Sequence, residues 1–184
     1  MIENLNDLHN LLFKELNLTF HELENSNLIS ELNPDLLDYA MNFGSSIPKN
    51  NHQDHLEIQQ NRTNSELTNF ISENSGNWNI AVHKKTNELY TNEHWLYTES
   101  NLSDYRKLNF GIEECLISFS LQELYFAFCE NEIEVKSELN LIPIWTDKRY
   151  SSKERTHSFL YDSEFKALKF IHSENNFEKI AFIE

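Results

Sequence analysis

Two histidines separated by two residues, His52 and His55, are the part of this chain that most resembles a metal-binding pattern. On a helix this spacing would bring two imidazoles towards one metal ion, and an acid lies between them. A transition-metal site needs three or four ligands, however, and the other six histidines are scattered along the sequence. The pair also lies in a predicted loop without cysteine. We therefore interpret both residues as solvated, and we expect no bound metal and no cofactor.

Closely spaced carboxylates are the second candidate for chemistry. Glu130, Glu132 and Glu134 alternate, so on a strand they would line one face at intervals of about 7 Å, roughly the spacing of acid and base in inverting glycosidases. Glu113 and Glu114 are adjacent. Catalytic carboxylates need a concave pocket, whereas a short alternating acidic run is more often the solvent face of an exposed strand. We expect neither group to be catalytic.

The two cysteines, Cys115 and Cys129, lie fourteen residues apart in one apolar segment. If that segment is a single helix, the rise between them is about 21 Å, which is beyond the reach of a disulfide. The neighbours of Cys115 are acids, which disfavour the thiolate that a nucleophile requires. Both cysteines are predicted to be small buried thiols in their reduced form.

Widespread catalytic motifs are missing from the sequence. It contains no G-x-S-x-G, no H-E-x-x-H and no G-x-x-x-x-G-K-[ST], and its 3 glycines cannot form a glycine-rich phosphate-binding loop. P-loop nucleotide hydrolysis is therefore excluded. The enzymatic alternative that stays open is a hydrolase-like site of scattered residues, with Glu130, Glu132, His52 and His55 as candidates.

The elements that must position these residues begin with helices. Leucines from Leu5 to Leu16 have helical spacing, which predicts an amphipathic helix. Asn33 as N-cap, Pro34 at the first helical position and Gly44 beyond the end predict a second helix. The stretch 44–63 is predicted to be a long, loop-like connection, although Leu56 and Ile58 are too apolar for a simple linker.

A third short helix through Ile71 is suggested by Thr63 and Glu66, which have the spacing of a capping box. The same residues are also compatible with a strand. From Trp78 the character of the chain changes to alternating apolar residues with a turn at 84–87, which predicts an antiparallel meander with one buried face. Its strands are expected at 78–82, 89–91 and 95–97.

The segment from Phe110 to Phe128 is apolar on nearly every side, which predicts a helix over Ile112–Phe128 that is buried on nearly every side. Four short strands are expected after it, at 141–145, 158–161, 167–171 and 179–183. The predicted fold class is α+β, with N-terminal helices followed by a largely antiparallel sheet packed against a central buried helix. We predict a single domain spanning residues 1–184.

Charge narrows the range of partners. The 184 residues include 30 acids and 15 bases, a net charge of −15, and residues 1–75 hold 12 of the acids but only 3 of the bases. This body repels a polyanion, so we expect no nucleic-acid partner. Apolar runs are too short to span a membrane and the first residues do not resemble a secretory signal, so a cytoplasmic protein without a membrane partner is expected.

The order of several segments resembles the SUKH superfamily of bacterial toxin-immunity proteins over roughly residues 36–171. These segments are LLDYAMNFGSSIPKN, NWNIAVHKKTNELYTNEHWLY, KLNFGIEECLISFSLQELYF, LIPIWTDKRY and HSFLYDSEFKALKF. The shared features are a helix ending near a Gly and a Pro, strands with an aromatic and a short turn, an Asn-led buried helix and late strands. The resemblance implies a protein that neutralises a toxin, often a nuclease, by binding it without cofactor or catalysis.

The acidic surplus independently favours a basic partner, because opposite fields speed encounter and orient it. Between residues 22 and 38 five acids occur without any Lys or Arg, and they form our candidate partner-binding surface: Glu22, Glu24, Glu31, Asp35 and Asp38. We expect a non-catalytic immunity protein with a cognate basic toxin as its partner. Besides the scattered-site enzyme, a structural or adaptor subunit of a phage or secretion apparatus is the alternative.

Overall fold

The structure is a computed structural model, and it describes only part of the chain. The described residues are 1–18, 34, 36, 54–73, 77–92, 98–102, 104–129, 138–147, 157–172 and 177–183, with the backbone alone described for 54–57, 98–102 and 177. They form helices and two antiparallel sheets. The predicted α+β class is confirmed, with the difference that the strands divide into two sheets where one was expected.

The N-terminal helix, α1 (Leu5–His9), continues directly into a π-helical segment, Asn10–Glu15. The side chain of Asn4 caps α1 by accepting from the amide of Asp7 at 3.1 Å. Four leucines on the buried face, Leu8, Leu11, Leu12 and Leu16, confirm the predicted amphipathic pattern. Of the second predicted helix only Pro34 and Leu36 are described; both are helical and Leu36 is buried.

Six strands form the first sheet. They are β1 (Asp54–Gln60), β2 (Leu67–Glu73), β3 (Asn79–His83), β4 (Leu89–Thr91), β5 (Thr98–Leu102) and β6 (Tyr105–Leu108), in the order β1-β2-β3-β4-β6-β5. The β3 and β4 strands and the turn between them confirm the prediction. In that turn Asn87 has a φ of 59°, a conformation that Asn tolerates better than most residues. The strand predicted at 95–97 lies outside the described residues.

Two predictions at the start of this sheet are wrong. The stretch 44–63 was predicted to be loop-like, but Asp54–Gln60 is the edge strand β1. The short helix suggested from Thr63 is wrong and the strand left as its alternative is confirmed, because these residues form a turn that leads into β2. The side chain of Asn61 determines this turn, because its Oδ1 accepts from the amides of Thr63 and Asn64 at 3.0 and 2.8 Å. These bonds hold Thr63 in a turn and away from an N-cap position.

The second sheet has four strands in the order β10-β9-β8-β7: β7 (Ile142–Asp147), β8 (His157–Asp162), β9 (Ala167–His172) and β10 (Phe177–Phe182). They confirm the four strands predicted in the last third of the chain. The long helix, α2 (Ile112–Phe128), has the predicted bounds. As predicted, Leu116, Phe119 and Leu124 on this helix are buried.

The main hydrophobic core includes residues of α1, α2 and both sheets in one cluster. A second, smaller buried cluster comprises Leu67, Ala81, Tyr90 and Tyr105. Ala81 alternates along β3 with Ile80 and Val82, which belong to the main core, so it lies on the opposite face of the sheet. The prediction that the meander has one buried face is therefore wrong, because both of its faces carry buried side chains.

Cys115 is buried, as predicted, whereas Cys129 is only half-buried, and both are reduced thiols. Within the described ranges no helix has the length and apolar character needed to cross a membrane.

Candidate functional site

Most residues that the sequence singled out lie where the structure gives no description. These are Glu22, Glu24, Glu31, Asp35, Asp38, His52, Glu130, Glu132 and Glu134. His55 is part of β1, but only its backbone is described. Among the side chains that are described, no group of three or more His, Cys, Asp or Glu is arranged to hold a metal ion. The acidic surface over residues 22–38 remains a prediction.

A group of four carboxylates does come together where α1 and α2 begin. We call Glu3, Asp7, Glu113 and Glu114 the acidic corner. The two helix starts are joined directly, because the amide of Leu5 donates to Oε2 of Glu113 at 3.2 Å. These two residues are 108 positions apart in the sequence. The acidic corner is therefore a product of the tertiary fold.

Each carboxylate of the acidic corner except one has a backbone amide as its partner among the described bonds. Asp7 accepts from the amide of Glu3 at 2.9 Å, and Glu114 accepts from that of Gly111 at 3.1 Å. The first amides of a helix lack intrahelical acceptors and carry partial positive charge, which stabilises nearby anions. The local sequence favours this arrangement, since acids occupy the first turn of both helices.

Exposure makes the acidic corner a surface and not a pocket. Glu3 and Glu113 are exposed, while Asp7 and Glu114 are half-buried. No Lys or Arg occurs between residues 1 and 13 or between 108 and 129. Four like charges, three of which accept from backbone amides, can attract the cationic groups of a partner. Glu113 and Glu114, the candidate pair, accept from backbone amides at the two helix starts, which gives them a capping and electrostatic role.

Two acids elsewhere in the described part of the chain are paired with bases. Nζ of Lys107 lies 2.8 Å from Oε1 of Glu88, and this bond, together with one from Thr86, lowers the pKa of the Glu88 carboxyl. Nζ of Lys169 lies 2.6 Å from Oε2 of Glu178. Such pairs cancel charge locally. The acidic corner differs in that no Lys or Arg lies next to its four acids in the sequence.

A second polar group, in the interior, was missed by sequence analysis. Asp147, His157 and His172 are in register across β7, β8 and β9. Nδ1 of His157 lies 3.8 Å from Oδ2 of Asp147, which is too long for a hydrogen bond, and its ring centroid lies 4.6 Å from that of His172. Asp147 and His157 are only 1% and 6% exposed. Because both side chains are almost wholly buried, we assign them to the interior of the second sheet.

The sequence patterns that could have predicted the residues of the acidic corner differ in strength. The pattern of Asn4 followed three residues later by Asp7 marks a helix start and could have indicated the carboxylate there. The approach of Glu113 to Leu5 has no local sequence signal.

No known protein family, curated protein or solved structure matches this chain.

Proposed function

We propose that this protein is a non-catalytic, cytoplasmic immunity protein that binds and neutralises a cognate basic toxin delivered between bacteria, with a nuclease as the favoured class. The observation that carries the proposal is the acidic corner, in which four carboxylates gather at the starts of α1 and α2. The net charge of −15 supports it, as does the resemblance to the SUKH superfamily. A nuclease presents a basic surface to its substrate, and a complementary acidic surface is suited to cover it.

The physical mechanism is electrostatic steering followed by close contact. A body with 30 acids and 15 bases attracts a basic protein over distances of about a Debye length, roughly 10 Å at 0.1 M salt. The field raises the association rate and selects orientations in which the acidic surface meets the basic one. Neutralisation then results from steric occlusion of the toxin, which requires neither a cofactor nor a covalent step.

Co-expression tests the function. We expect the chain to protect cells from the toxin encoded beside its own gene, and a pull-down of the tagged protein to retain that toxin in stable, stoichiometric amounts. A variant with Glu3→Lys and Asp35→Lys should protect less well, whereas Asp104→Lys, at an exposed acid in the turn before β6, should protect fully. Cells that die at the same rate with and without the chain would contradict the immunity function.

A further inference from the structure

Two of the exposed large hydrophobic side chains lie at one end of the second sheet. In the described ranges the large hydrophobic residues that are exposed are Met1, Ile142 and Phe165, at 87, 56 and 38%. Ile142 is the first residue of β7, and its neighbour Pro143 is also exposed. Phe165 belongs to the turn between β8 and β9. Burial of side chains of this kind is the usual source of binding energy at protein interfaces.

Asp162 holds the exposed residues close together. Its carboxylate accepts from the amide of Asn140, just before β7, at 2.6 Å. It also accepts from the amides of Glu164 and Phe165, in the turn, at 2.9 and 3.1 Å. Ile142 pairs across the sheet with Tyr161, the residue before Asp162. The start of β7 and the β8–β9 turn are therefore fixed to a single side chain that is itself buried.

The chain's first residues join the same strand. The amide of Ile2 donates to the carbonyl of Ile144 at 2.9 Å, which places Glu3 of the acidic corner beside β7. This bond occupies an acceptor of the strand, and Pro143 lacks an amide hydrogen. Both features oppose the addition of another strand along β7. A partner at this position must bind through side chains and not by extending the sheet.

The exposed apolar residues are surrounded by acids. Glu138 and Glu164 are exposed within a few residues of Ile142 and Phe165. Glu15 is exposed too, and it lies near enough to Tyr161 for its charge to act on that phenol. Among the described residues Lys14 and Lys166 are the neighbouring bases, so the described acids outnumber the described bases around the patch. An apolar centre with a charged rim is the usual composition of a protein interface.

We propose that Ile142 and Phe165 form the apolar anchor of the partner-binding surface, with Glu3, Glu15, Glu138 and Glu164 as its acidic rim. This inference rests on the proposed function and identifies where the toxin docks. The occupant is a basic protein surface that carries at least one apolar side chain. Charge complementarity selects this partner over a second copy of the chain, because two bodies of charge −15 repel each other.

Stopped-flow binding tests the proposal with the purified, catalytically inactivated product of the neighbouring toxin gene as the probe. Replacing the anchor by Ile142→Ser with Phe165→Ser should increase the dissociation rate constant at least tenfold. Reversing the rim by Glu138→Lys with Glu164→Lys should decrease the association rate constant at least threefold. Asp104→Lys, at an exposed acid in the turn before β6 of the other sheet, is the matched control and should change each rate constant less than twofold.

The possible results distinguish a wrong docking surface from a wrong proposed function. If the wild-type chain binds the toxin and the anchor variant binds equally well, the docking surface is wrong while the proposed function stands. If the wild-type chain does not bind the toxin, both are wrong. A dimer of the free protein in sedimentation experiments that is abolished by Ile142→Ser would show that a second copy is the occupant and overturn the proposal.

Hydrogen exchange of the wild-type complex gives a readout that needs no variant. We expect amides in 138–147 and 163–166 to become protected from exchange when the toxin is bound. Unchanged exchange in both segments would overturn the proposal.

Discussion

Burial raises the pKa of the phenols of Tyr125 and Tyr161 to about 12, with the charges of Glu15 and Asp162 contributing at Tyr161. The unfolded value is about 10, so the folded protein retains these protons longer than the unfolded chain does. The contribution of each neutral phenol to stability is complete below pH 10 and is lost as the pH rises from about 10 to about 12.

We therefore expect the free energy of unfolding to fall steeply above pH 10, by about 1–3 kcal/mol for each of these tyrosines. Tyr125→Phe and Tyr161→Phe should flatten this fall without changing its position. Denaturant unfolding between pH 8 and the alkaline limit measures the slope, and absorbance at 295 nm follows ionisation. A slope that is the same in the wild type and in both variants would contradict the assignment.

The second prediction at the residue scale concerns packing in α2. Phe119 is 4% exposed and belongs to the main core. Phe119→Ala should lower the free energy of unfolding by about 3–5 kcal/mol, because it removes a buried ring and leaves a cavity. Phe165→Ala, at the exposed phenylalanine of the β8–β9 turn, is the matched control and should cost less than about 1 kcal/mol. Equal losses in urea denaturation would be inconsistent with the described burial.

At the scale of elements, the start of α2 offers a test of its capping. Gly111 occupies the N-cap with φ −86° and ψ 173°, an extended conformation open to any residue, and an added Cβ would meet nothing within 4 Å. Gly111→Ser should therefore raise the free energy of unfolding by about 0.5–1 kcal/mol, through a stiffer unfolded chain and a new oxygen acceptor for the helix amides.

Gly111→Ala separates the two contributions, because it stiffens the chain without supplying the oxygen. Thermal unfolding should rank the serine variant above the alanine variant. A serine variant that is less stable than the wild type would show that Gly111 is not at the helix start as described.

The elements that could be predicted from sequence are those whose own residues decide the structure. Ile112–Phe128 is apolar on nearly every side, and that pattern gave the bounds of α2 without reference to the rest of the chain. The strands from β7 to β10 were predictable for a similar reason, since short apolar runs alternate with polar turns. Their division into a separate sheet depends on pairing between distant segments, which no local pattern encodes.

The elements that were mispredicted depend on competition between local and distant partners. Asp54–Gln60 is rich in polar residues, and it becomes a strand because β2 supplies its pairing partner. The types and spacing of Thr63 and Glu66 fit a helix start. The side chain of Asn61 instead accepts from the amides of Thr63 and Asn64. Short polar side chains often compete with regular structure in this way, and a pattern of two residues does not reveal which of the competing hydrogen bonds forms.

At the scale of the whole molecule, the proposed partner-binding surface could be predicted from the sequence only in part. The acids at 22–38 could be identified because they lie within one short stretch of sequence that contains no Lys or Arg. The acidic corner could not, because it joins residues near position 5 to residues near 113. The apolar anchor could not be predicted from the sequence either. Ile and Phe are residue types that are usually buried in a core, and only the fold shows that Ile142 and Phe165 are exposed.

In the proposed mechanism, the net charge of the whole molecule affects the rate at which the partner associates. The net charge of −15 acts at a distance, whereas the apolar anchor acts only after contact. Salt should therefore slow association and have little effect on dissociation, since mobile ions screen the long-range field but not a desolvated contact. Substitutions at Asp35 and Asp38 should behave like added salt, because they reduce the same field.

The most direct measurement is the association rate constant of the chain with its purified, inactivated toxin as salt rises from 0.1 to 1 M. Over this range the Debye length falls from about 10 Å to about 3 Å. We expect the association rate constant to fall at least tenfold while the dissociation rate constant changes less than threefold, and charge reversal at Asp35 and Asp38 to slow association further. An association rate constant that responds neither to salt nor to these substitutions would contradict recognition through an acidic surface.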